Sequence, residues 1–214
     1  VDAHQQKWNE TVAQGIIAWL EKRRMAGSYA ADAAQAKEQI LAMIPAGGSV
    51  LRGGSCSTVE MGLWEKIEAM EGVTVFNPYK PGLAPEESIA IRRQGLTADL
   101  MLASSNAITL DGRLVNLDGM GNRVAAMAFG PKKVVLVVGM NKVAPDLESA
   151  KARVKNYAAP VNAMRLNLDT PCNKNGLCAD CRAPKRICNF WSIIEGSMVP
   201  NRIHVILVGE DLGY

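Results

Sequence analysis

Hydrophobic positions along the chain change period several times, and each change marks an element. Near the start, Trp8, Val12, Ile16, Trp19 and Leu20 recur at helical spacing and predict one apolar face of a first helix. Residues 31–44, rich in Ala and Gln and halted before Pro45, predict a second. Ser49–Arg52 reads as a short strand running into Gly-Gly-Ser-Cys-Ser-Thr, then a helix over 59–70 that Gly72 stops. A strand at 73–76, a helix at 86–93 and a strand at Leu100–Ala103 follow. Segments 107–110 and 113–116 flank Asp111-Gly112, a strong two-residue hairpin signal. Asn122–Phe129 predicts a short helix, 133–138 a buried strand, and 146–164 a long helix that Pro160 kinks or ends. Phe190–Ile194 enters a short element, and Ile203–Val208 is a final strand. Strands alternating with helices imply an α/β fold: a mainly parallel sheet covered by helices on both faces, with one antiparallel hairpin.

Composition narrows the class. The 214 residues are 48% apolar, enough for one sizeable core and short for two. The chain therefore reads as one domain over 1–214, with an N-terminal helical segment at 1–45 and a cysteine-rich loop at 170–190 inserted before the last strand. A net charge of +3 is too small to argue for nucleic acid. Lys22, Arg23, Arg24, Lys132 and Lys133 are scattered, without interleaved aromatics, and read as solvated faces. The longest apolar run, 134–138, is far below membrane-spanning length, so no membrane insertion is expected. The opening helix carries charges throughout, unlike a signal peptide, and a reduced, cytoplasmic setting fits the sparse cysteine elsewhere.

Four of the five cysteines change that bland picture. Cys172, Cys178, Cys181 and Cys188 form a C-x5-C-x2-C-x6-C array in what reads as loop. Gathering thiolates costs free energy, so such a cluster usually has something bound to it. An iron–sulfur cluster and zinc are the candidates, with two disulfides as the plainer alternative. The spacing matches neither the bacterial ferredoxin run nor paired zinc-ribbon motifs, so it does not choose the metal.

Two glycine-rich loops fall where α/β sheets bind ligands, beyond the carboxyl ends of strands. In the first, Gly53 and Gly54 allow close backbone approach, and Ser55, Ser57 and Thr58 can cap a helix that faces an anion. The loop lacks the Lys of a Walker motif, and a tight turn with an N-cap explains it equally well. Cys56 sits at the same helix start without a partner His, since His4 and His204 are far off in sequence. In the second, Asn116, Asp118, Gly119, Gly121, Asn122 and Arg123 converge at a helix start. Arg123 offers a bidentate fork to carboxylate or phosphate, and Asn106 joins from the same edge. Asp99 reads as a strand-start residue, and Glu210 and Asp211 follow the last strand.

Taken in order, these elements resemble a known family. ADLMLASSNAITLDGRLVNLDGMGNRVAAMAFGPKKVVLVVGMNKVAPDLESAKARVKNYAAP resembles the LUD domain of lactate-utilisation proteins, and GGSCSTVEMGLWEKI and IHVILVGEDLGY fit the same pattern. The resemblance spans essentially the whole chain. It implies a fold like that of the NagB/RpiA/CoA-transferase group. The cysteine array looks like that of a single-domain subgroup in which T-P-C, C-x-x-C and R-I-C recur. What the resemblance implies is a redox-linked component of lactate or related organic-acid metabolism, working with redox partner subunits. It would bind a small anionic metabolite on the glycine loops and a [4Fe–4S] cluster, or else zinc, on the cysteines. Two alternatives stand beside it. One is a free-standing enzyme of the CoA-transferase or sugar-phosphate-isomerase type; it needs a positioned carboxylate, and the sequence singles none out, since Glu60, Asp111 and Asp118 are equally explicable as caps or turn residues. The other is a zinc-stabilised binding or regulatory module. A homo-oligomer is compatible with all three.

Overall fold

Strand β7 (Lys133–Gly139), a run of Val and Leu, lies at the centre of the protein with every residue after Lys133 buried. The structure, a computed structural model, describes residues 2–214. Six parallel strands, β1 (Ala26–Ala30), β2 (Ser49–Arg52), β3 (Thr74–Phe76), β4 (Leu100–Ala103), β7 and β10 (Ile203–Val208), form the main sheet in the order β1-β10-β7-β4-β2-β3. Alternation splits β7 between two cores. Val134, Leu136 and Val138 pack with Ile16 and Leu20 of α1 (Ala3–Lys22) and Met127 of α6 (Asn122–Phe129). Val135 and Val137 pack with Ile40 of α2 (Ala33–Met43), and with Trp64 and Ile67 of α4 (Trp64–Glu68). Burial on both faces is what a continuous apolar strand in a parallel sheet requires.

A second, smaller sheet has the order β8-β5-β6-β9, from β5 (Ala107–Thr109), β6 (Leu114–Asp118), β8 (Val143–Ala144) and β9 (Phe190–Ile194). The Asp111-Gly112 hairpin is the antiparallel β5–β6 pair of this sheet, with Gly112 at φ +80°. The α/β reading of the sequence therefore holds. Among the described residues, no helix is long and apolar enough to cross a membrane.

Several local expectations differ. Residues 1–45 are not wholly helical, because Ala26–Ala30 forms edge strand β1 beside β10. Its Ala-Gly-Ser-Tyr-Ala composition carries no β-branched signal, and pairing rather than propensity sets it. The face of α1 is rotated from the expected one: Asn9, Ala13, Ile16 and Leu20 are buried, while Trp8 and Trp19 are exposed. The helix expected over 59–70 is two, α3 (Cys56–Glu60) and α4, divided at Gly62 with φ +59°. The long helix over 146–164 runs as α7 (Leu147–Arg153), a π-helical stretch (Val154–Ala158) and α8 (Ala159–Arg165). Pro160 has no N–H to give the preceding turn, and the widened π turn lets the helix continue through it. The cysteine segment opens with the short helix α9 (Pro171–Asn175) and leads into β9, which pairs antiparallel with β6.

Candidate functional site

The carboxyl ends of β2, β4, β7 and β10 converge on one cavity of about 320 Å³, at the lower end of ligand-site volumes. Gly54, Ser55 and Cys56 reach it after β2, Ser104, Ser105 and Asn106 after β4, Lys142 after β7 and Tyr214 after β10. Asp118, Gly119, Asn122 and Arg123 bring the second glycine loop to the same wall. Gly53, Ser57, Thr58 and Gly121 do not line it. Gly53 is buried where a Cβ would lie 2.7 Å from Ala103 Cβ, so its lack of a side chain serves packing. Gly121, at φ +85°, supplies the left-handed turn into α6.

Arg123 does not present the open fork expected of it. Its Nε donates to Asp118 Oδ1 at 3.0 Å, Nη1 to Ser104 O and Asn116 Oδ1, and Nη2 to Asn106 Oδ1. A buried ion pair to Asp118 at 2.7 Å completes the set. Asp118 in turn accepts from the backbone N–H groups of Arg123 and Val124 and so caps α6. Asn106, Asn116, Asp118 and Arg123 thus brace one another and stiffen the cavity wall.

The first loop divides likewise. Ser55 Oγ caps α3 by accepting from Thr58 N, and Thr58 Oγ1 accepts from Trp64 Nε1. Cys56 Sγ donates to Tyr214 Oη at 3.1 Å, on the cavity wall. Burial, with the Cys56 contact second, raises the Tyr214 phenol well above its usual range. His204 does not approach Cys56; it lies in β10 and bonds Ser28 Oγ at 3.0 Å.

Lys142 is the residue that the sequence reading missed. Only 3% exposed, it places Nζ 2.8 Å from Ser57 Oγ and 3.1 Å from Ser104 Oγ, and it makes no ion pair among the described residues. Desolvation, helped by the nearby Arg153 and Arg123 guanidiniums, lowers its pKa from 10.5 to about 7. The available signal was positional: a lysine three residues past a wholly apolar strand stands at the carboxyl edge of a parallel sheet. Arg92, on α5 (Pro85–Gln94), and Arg165, on α8, also line the cavity, and their recruitment from helices distant in sequence left no local trace. Arg92 and Arg165 thus face the cavity without an ion pair among the described residues, while Arg123 is matched by the one lining carboxylate, Asp118. Such a cavity favours an anion.

The four array cysteines come together. Cys172, Cys178, Cys181 and Cys188 line a single void of about 20 Å³, together with Lys155, Pro160 and Arg186. All five cysteines of the chain are free thiols. Arg186 donates to the carbonyls of Cys181 and Cys188, which fixes the path of the loop. Burial raises the Cys188 pKa, against the opposing pull of Lys155 and Arg186. Among the described residues, no three His, Cys, Asp or Glu side chains form a set that could hold a single metal ion. The void and the cavity share a wall. Ala158, Asn162 and Ile187 face the cavity, while their chain neighbours Ala159, Pro160, Arg186 and Cys188 face the cysteines.

Comparison with known proteins agrees with this architecture. The family model described as the LUD domain matches residues 13–208. Among solved structures, the chain is similar to a DUF162 family protein from Deinococcus radiodurans. That likeness has a TM-score of 0.51 at 15% identity and covers 94% of this chain and 98% of that one. At such identity it speaks for the fold alone. No curated protein matches.

Proposed function

Since the chain belongs to the LUD-domain family, we propose that it is a redox-linked protein of organic-acid metabolism, binding a small carboxylate in the rim cavity and an iron–sulfur cluster on its four-cysteine loop. The observation that carries this reading is the shared wall: a cationic cavity and a void lined by four thiols lie back to back across residues 158–162 and 186–188. Cys172, Cys178, Cys181 and Cys188 would hold the cluster. All-sulfur ligation on one loop suits an iron–sulfur cluster or zinc, and the redox association that the resemblance implies favours the cluster. Lys155 and Arg186 lie beside those thiols with Asp180 paired to both, which leaves one net positive charge toward an anionic cluster. A bound cluster supplies one-electron chemistry.

In the cavity, Arg165 and Arg92 attract and orient the carboxylate, while the braced Arg123–Asp118 unit holds the wall in shape. Tyr214 and Cys56 offer polar groups to the rest of the ligand. The CoA-transferase reading fares worse, because each carboxylate considered for it is engaged. Asp111 pairs with Arg23 and Arg113, Asp118 with Arg123, and Glu60 accepts from Gly213 N. Calorimetry with lactate, pyruvate and phosphate tests the anion site. Binding that weakens at least tenfold in Arg165→Ala supports it, and no heat from any of the three anions contradicts it.

A further inference from the structure

We propose that Lys142 is a nucleophilic amine that forms an imine with the carbonyl of a 2-oxo acid held in the cavity. This rests on the carboxylate-binding reading of the same site and goes beyond it by naming the reacting groups.

The argument begins with the two serines. Ser57 Oγ donates its proton to Leu212 O at 3.1 Å, and Ser104 Oγ donates to Ser105 O at 3.1 Å. Each hydroxyl has one proton, so towards Lys142 each acts as acceptor. Lys142 Nζ therefore gives one N–H to each serine. In the neutral amine those two hydrogens are then spent, and the remaining position on nitrogen is the lone pair. Lys142 lines the cavity, and no protein acceptor claims that third position. A lysine that served only the fold would be paired with a carboxylate or would reach water; this one is 3% exposed and meets only hydroxyls. Such isolation favours the neutral form, in keeping with the depressed pKa of the group.

The ligand follows from the surroundings. The cavity's cationic lining calls for an anion, and an amine nucleophile calls for an electrophilic carbon. A carboxylate on Arg165 with a carbonyl next to it satisfies both within about 320 Å³. The amine lone pair attacks the carbonyl carbon, forming the C–N bond while the C–O π bond opens to an alkoxide. That alkoxide oxygen takes one amine proton and becomes a hydroxyl. Loss of the C–O bond then releases water with the second amine proton and leaves C=N. No oxidant or reductant enters the step.

Trapping tests it directly. The full chain, purified without oxygen, is mixed with sodium pyruvate and reduced with sodium borohydride, and the adducts are mapped by peptide mass spectrometry. The expected result is one reduced pyruvyl group per chain on the peptide bearing Lys142. It should be absent with lactate, which has no carbonyl, and lost in Lys142→Arg. Adducts spread over surface lysines, or equal in Lys142→Arg, would overturn the proposal, and the wild-type map decides even if the variant folds poorly. Calorimetry under the same conditions separates the two readings. Pyruvate that binds without labelling Lys142 removes the imine alone, and pyruvate and lactate that both fail to bind remove the anion site with it.

Discussion

Lys142 Nζ lies 2.8 Å from Ser57 Oγ, so that an amine from the end of β7 and a hydroxyl from the helix after β2 meet at the cavity wall. Holding a cation there is costly, since two hydroxyls replace water and neither carries charge. Its native pKa of about 7 lies below the ordinary 10.5, so between those values the unfolded chain binds more protons than the native one. Stability from this group therefore rises as pH increases from 7 towards 10.5 and is at its lowest below 7. The same groups that set the pKa, Arg153, Arg123, Cys56 and Glu60, stay in place in Lys142→Met. Relative to that variant, the wild type should gain about 1 kcal/mol per pH unit through this window. Urea unfolding at pH 6, 8 and 10 checks the slope. Parallel curves would mean that Lys142 is not desolvated.

Arg123 should behave as a brace. Every donor of its guanidinium is taken by protein, and its partner Asp118 is as buried as it is. Removing one member leaves a buried charge uncompensated, so Arg123→Met should cost about 3–5 kcal/mol in urea unfolding. Arg165→Ala, at an exposed position, should cost under about 0.5 kcal/mol. A stable Arg123→Met that loses only anion binding would restore the ligand-fork role.

His204 gives a second pH signature at the opposite end of the sheet. Ser28 Oγ donates to Gln39 Oε1, so it accepts from His204 Nε2, which fixes the neutral ring with its proton on that nitrogen. Desolvation, then Lys133, lowers the His204 pKa from 6.5 to about 4. The unfolded chain binds the extra proton between those values, so this contribution is complete above pH 6.5 and is lost as pH falls towards 4. His204→Gln should flatten the acid limb of the stability profile, read as melting temperature between pH 4 and 7. An unchanged limb would place the acid sensitivity elsewhere.

The sheet was legible because its central strands carry continuous apolar runs, residues 134–138 above all, and because glycines and prolines punctuate the connections. The strands at Ser49–Arg52, Leu100–Ala103 and Ile203–Val208 and the helix at Asn122–Phe129 stand where the pattern puts them. Strand Ala26–Ala30 was invisible, since only pairing with β10 makes a strand of Ala, Gly and Ser. The candidate site was half legible. Polar residues in loops after strands pointed to the right rim, but residue type alone could not tell a ligand contact from a brace. Arg123 and Asn106 look like ligand groups until their partners are known, whereas Lys142 looks like an ordinary lysine until its burial is known. The closing of Cys172, Cys178, Cys181 and Cys188 on one void next to the cavity depends on the packing of residues 154–166 against 186–188, which no spacing encodes.

The most direct measurement is iron and acid-labile sulfide content, with an absorption spectrum, on protein purified without oxygen. Iron and sulfide near four per chain, with a brown colour that bleaches in Cys178→Ser/Cys181→Ser, are expected if the thiol-lined void holds a [4Fe–4S] cluster. Colourless protein with stoichiometric zinc, or with all five thiols titratable and no metal, would contradict it.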